Sequence, residues 1–83
     1  METRVAVISI IVDLPGDGSI AAVNALLHEY GNEIIGRMGI PHKEKQISII
    51  SVVMDAPQDK INTLSGKLGK LSGVTSKVLY SKV

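Results

Sequence analysis

The 83-residue chain contains no cysteine, no tryptophan and no phenylalanine. Without cysteine there is no disulfide framework, no thiolate nucleophile, no iron–sulfur ligation and no cysteine zinc site. The expected setting is cytoplasmic. Tyr30 and Tyr80 are the only aromatic side chains, so the base-stacking platforms of RRM-type domains are missing. The formal net charge is only +1, which gives phosphate binding little electrostatic support. No apolar run reaches the roughly 18 residues of a membrane span, and no N-terminal stretch joins a basic start, an apolar run and a small-residue cleavage site. The expectation is a soluble protein without membrane contact and without direct nucleic-acid binding.

Hydrophobic residues make up 45% of the chain and charged residues 20%. At this length, residues 1–83 form a single domain, and folding buries only about 60 to 65% of the surface of the unfolded chain. Such a core is adequate but marginal unless a partner extends it, which leaves oligomerisation open from the outset.

Arg4 to Val12 is a β-branched run of strand length, closed by the turn-rich segment Asp13-Leu14-Pro15-Gly16-Asp17-Gly18. Ser19 occupies the position of a helix N-cap, and Ile20, Val23, Leu26, Leu27 and Tyr30 follow at helical spacing up to Gly31-Asn32. Glu33 to Ile40 reads as a short strand broken by Gly36 and Gly39, with Pro41 to Lys45 as a polar connection. Gln46 to Met54 is the third strand, and Asp55-Ala56-Pro57-Gln58 has the form of a capping box for a helix striped by Ile61, Leu64, Leu68 and Leu71. That helix ends near Ser72-Gly73, and Val74 to Tyr80 forms the last strand.

The order β-α-β-β-α-β defines an α+β, ferredoxin-like fold. Right-handed crossovers place both helices on one face of a four-stranded antiparallel sheet, with the first and third strands central. The opposite face is left open. In the first strand Val5, Val7 and Ile11 alternate with Ala6, Ile8, Ile10 and Val12, so both faces are apolar. The third strand repeats this, with Ile47, Ile49 and Val53 against Ile50, Val52 and Met54. A water-facing sheet shows polar alternation instead. At about 25 cal/mol per Å² of apolar area, the exposed face forgoes several kcal/mol, and a homo-oligomer is the expected way of covering it.

Chemistry is harder to find. His28 lies on the flank of the first helix and His42 follows Pro41 in a turn; they match no metal motif and make no triad with a nucleophile. Asp13, Asp17, Asp55 and Asp59 sit at turns and helix starts, where capping explains them. The expectation is no catalytic residue, no metal and no cofactor. Residues 60–83 carry five lysines (Lys60, Lys67, Lys70, Lys77, Lys82) and no acid, yet Lys67 and Lys70 flank the core stripe, where their stems cover apolar surface. Two candidate sites stand out. The loop bearing Asp13, Pro15, Gly16, Gly18 and Ser19 leads into a helix N-terminus suited to a small anionic or amino-acid effector. Asn62, Ser65, Gly66 and Gly69 form a smooth side of the second helix that permits close approach.

Two stretches, Asn24-Ala25-Leu26-Leu27-His28 through Arg37-Met38-Gly39-Ile40-Pro41 and Leu64-Ser65-Gly66-Lys67-Leu68-Gly69-Lys70-Leu71-Ser72-Gly73-Val74, resemble a family of short regulators of the iron-only hydrogenase system. The resemblance spans nearly the whole chain. It implies an ACT-like version of the ferredoxin-like fold, related to the ligand-binding domain of nickel-responsive repressors. Asp13-Leu14-Pro15-Gly16 further resembles the D-x-P-G of amino-acid-binding ACT domains, which borders an effector pocket at subunit interfaces; the additional Asp17-Gly18 departs from that pattern. The histidines do not match the nickel-ligand cluster of those repressors. With no ribbon-helix-helix or helix-turn-helix segment in the chain, a transcriptional role is expected to require a DNA-binding partner protein. The leading reading is a non-enzymatic, ligand-binding, homo-oligomeric transcriptional regulator. The alternative is a small dimeric ferredoxin-like enzyme of the isomerase or monooxygenase type.

Overall fold

A computed structural model of the protein describes residues 2–13 and 18–82. Strand β1 spans Arg4–Asp13, β2 Ile34–His42, β3 Ile47–Ala56 and β4 Val74–Tyr80; helix α1 covers Ser19–Glu29 and α2 Gln58–Gly69. Short 3₁₀ turns follow α1 at Gly31–Glu33 and join β2 to β3 at Lys43–Lys45. All strand pairs are antiparallel, in the order β2-β3-β1-β4. The architecture is the ferredoxin-like α+β sheet expected from the sequence, with β1 and β3 at its centre.

The core forms between the helices and one face of the sheet. Ala6, Ile8, Ile10 and Val12 of β1 interleave with Ile50, Val52, Met54 and Ala56 of β3, all buried, beneath Val23 and Leu27 of α1 and Ile61, Leu64 and Leu68 of α2. These are the even-numbered strand positions, which share one face because strand side chains alternate. Ile20, Leu26 and Leu71 pack at its margin.

Several boundaries differ from the sequence reading, each for a tertiary reason. Ser19 is not the N-cap of α1. Gly18 takes that place with φ 97°, and the Ser19 hydroxyl donates to the Ser72 carbonyl at 2.7 Å. Asp55 does not cap α2, because β3 runs on to Ala56, opposite Arg4; Pro57 is the N-cap and no side chain bonds there. α2 closes at Gly69, before Ser72-Gly73. β2 is not interrupted at Gly36 or Gly39. It passes through both, and through Pro41, with one irregularity between Ile34 and Gly36, so His42 ends a strand opposite Ile47 and does not lie in a turn. An edge strand tolerates such residues because only one side of its backbone must pair.

Candidate functional site

One distinctive surface is the face of the sheet opposite the helices. The pairing register arranges its side chains in rows across the four strands. Gly36, Val53, Val7 and Leu79 form one row, Met38, Ser51, Ser9 and Lys77 the next, and Ile40, Ile49, Ile11 and Thr75 the third. An apolar row thus lies on each side of a more polar middle one. Six large apolar residues of this face are exposed, from 36% for Val5 to 71% for Leu79. The middle row is tightly knit at its centre. Odd residues of β1 turn their backbone towards β4, since Ser81 N–H donates to Val5 and Asp13 N–H donates to Gly73. Ser9 and Ser51 therefore form a non-hydrogen-bonded pair across β1 and β3, the kind in which Cα atoms approach to about 4.5 Å and side chains lie close.

The loop candidate lies at one end of the sheet. Asp13 is exposed at the end of β1, with its N–H bonded at 2.7 Å to the Gly73 carbonyl. On the helix side, Ser19 is buried and holds the Ser72 carbonyl. The turn between α2 and β4 therefore clasps both flanks of the loop. Gly73 has φ 71°, and a Cβ there would stand 2.9 Å from the Asp13 carbonyl oxygen, so glycine is required on both counts. Pro15 and Gly16 lie outside the described residues. Asp13, Gly18 and Ser19 are brought together at this end of the molecule.

Most of the smooth side of α2 turns towards its own sheet. The Asn62 side chain accepts the Tyr80 hydroxyl, and Ser76 contacts Ser65 through its hydroxyl (3.2 Å) and carbonyl (3.0 Å). A Cβ on Gly69 would lie 3.9 Å from the Ser76 hydroxyl. Gly66 instead faces open space.

A cleft of about 320 Å³, which sequence reasoning did not find, opens between the end of α1 and the start of α2, lined by Glu29, Tyr30, Glu33, Asp59, Lys60 and Thr63. A Lys60–Glu33 ion pair bridges its two sides. Neither histidine lines it, and both are exposed. Lys67 lies 5.7 Å from the centre of the Tyr30 ring, as expected of a stem laid along the core margin. Among the described residues no three His, Cys, Asp or Glu side chains come together as metal ligands, and no helix is long and apolar enough to cross a membrane.

The fold and its surfaces define a small ferredoxin-like domain with one sheet face packed by helices and the other apolar and open. The chain belongs to the TM1266-like family, described as "Iron-only hydrogenase system regulator, putative", whose family model matches residues 4–78. Among solved structures it is similar to the uncharacterized protein TM1266 from Thermotoga maritima, with 37% identity over 98% of this chain and 100% of that one and a TM-score of 0.93. The C-terminal domain of the MgtC protein from Mycobacterium tuberculosis shares the fold, with a TM-score of 0.73 at 13% identity over 95% of this chain and 88% of that one. No curated protein matches the chain.

Proposed function

We propose that this chain is a non-enzymatic, ACT-like regulatory domain of an iron-only hydrogenase system. It assembles as a homo-oligomer through its open sheet face and responds to a small anionic or amino-acid effector at the Asp13–Ser19 end. Its transcriptional output passes through a DNA-binding partner protein, and its setting is the cytoplasm, which a cysteine-free composition permits.

The open face carries this reading. Six large apolar side chains left exposed on one face of so small a domain mark it as an interaction surface, because monomeric proteins rarely leave extended apolar patches uncovered. Family membership supplies the regulatory context. The clasp of Ser72 and Gly73 on both flanks of the loop supports the effector site, because it ties that loop to α2 and β4 and hence to the open face. Catalysis is disfavoured by the placement of the histidines, which are exposed on α1 and at the end of β2 and do not converge on a cleft.

Native mass spectrometry of freshly purified protein tests the proposal. An oligomer carrying a retained small molecule is expected, and its mass identifies the effector class. A monomer throughout a concentration series refutes assembly, and an oligomer that gains no mass with any amino acid or organic acid refutes the effector.

A further inference from the structure

We propose that two copies of this chain pack open face to open face about a twofold axis running along the strands, so that β4 of each copy lies over β2 of the other. This rests on the homo-oligomer reading above and specifies its geometry. Four strands spaced about 4.8 Å apart and about seven residues long have a projected footprint of about 440 Å², and the relief of exposed side chains such as Met38 and Leu79 raises the accessible area towards the per-partner value of about 800 Å² in a standard stable interface. One further copy therefore suffices to cover it.

Two axes in the plane between the sheets give full overlap. An axis perpendicular to the strands lays β4 on β4 and sets Lys77 against the same lysine of the second copy, placing two like charges together in a water-poor layer. An axis along the strands keeps each row on its own row but reverses it. Lys77 then lies over Met38 of the second copy, an unbranched side chain along which a lysine stem can pack while its charge reaches the rim. The same operation sets Leu79, 71% exposed, over Gly36, where no side chain competes for the space. Ser9 comes to lie over Ser51 and Ser51 over Ser9, a central cluster in which hydroxyls can serve each other as donors and acceptors. Aligned packing of twisted sheets at about 30° places the axis about 15° from the mean strand direction.

The test compares Met38→Glu with Met38→Lys. Met38 is 59% exposed on an edge strand, so a single chain accommodates either charge, and both variants remove the same apolar contact. With the axis along the strands, the new group faces Lys77 of the other copy twice per dimer. Sedimentation at low salt should then show the Met38→Lys dimer dissociating about ten- to a hundredfold more readily than the Met38→Glu dimer, with the gap closing at high salt. Adding Lys77→Glu to Met38→Lys should restore the dimer. Equal dissociation constants for the two variants, or no rescue, overturn this axis while leaving the homo-oligomer standing. A wild-type protein that is monomeric at every loading concentration overturns both, and circular dichroism confirms that each variant is folded.

Discussion

Replacing Gly73 with alanine tests the clasp between the α2–β4 turn and the β1–α1 loop. The residue stands at φ 71°, where a Cβ costs about 1–2 kcal/mol in backbone strain. The added methyl would sit 2.9 Å from the Asp13 carbonyl oxygen, a backbone atom that cannot swing aside, so the turn must shift. The 2.7 Å bond from Asp13 N–H to the Gly73 carbonyl lies in the same turn and weakens with the shift, adding about 1 kcal/mol. The expected loss is about 2–3 kcal/mol. For a domain of this size it lowers the melting temperature by about 10–20 °C. Gly66 supplies the opposite sign with the same chemistry. It lies inside α2 with open space where its Cβ would go, so Gly66→Ala should stabilise by about 0.5–1 kcal/mol. Urea unfolding of both variants at matched protein concentration measures the pair. A Gly73→Ala loss below about 0.5 kcal/mol, or equal signs for the two variants, would refute the strain and contact reasoning.

Ile49→Lys and Val7→Lys place a charge on the open face without touching the core, and each should shift the protein towards monomer or aggregate; unchanged oligomeric mass in both variants argues against the interface. Leu64→Ala empties a fully buried position of α2 and should cost about 2–5 kcal/mol in chemical denaturation, whatever the oligomeric state. Gln46 holds φ 54° after the Lys43–Lys45 turn, so Gln46→Gly should relieve strain and raise stability by about 1 kcal/mol, read as a higher denaturation midpoint.

What was legible in the sequence was what strand periodicity and turn residues encode locally. β4 runs from Val74 to Tyr80 as read, and β1 and β3 place every named apolar side chain on the expected face, because β-branched runs leave few alternatives. Both helix starts depart from their local signals for a common reason. Ser19 and Asp55 have the chemistry of caps, but Ser72 takes the hydroxyl of the first and strand pairing with β1 retains the second. Those competitors lie 53 residues and half a sheet away. β2 extends to His42, beyond what its own residues predict, because glycine and proline count against a strand until its place at the edge is known. The smooth side of α2 was visible as a pattern, whereas its neighbour Ser76 on β4 appears only once the chain has folded. The apolar rows of the open face followed from alternation, but their exact alignment needed the register across all four strands.

The doubly apolar central strands also bear on how the chain can misfold. Moving β1 by one residue would exchange Ala6, Ile8, Ile10 and Val12 for Val5, Val7 and Ile11, a set nearly as greasy, with Ser9 as the lone misfit. Hydrophobicity therefore gives this strand little phase memory. Phase must come from the ends, where the Asp13–Gly73 and Ser81–Val5 backbone bonds peg both termini of β1 against β4. A one-residue insertion between these pegs would be absorbed as a β-bulge or would reverse the facing of the β1 residues on one side of it, exchanging core and assembly side chains over that stretch alone.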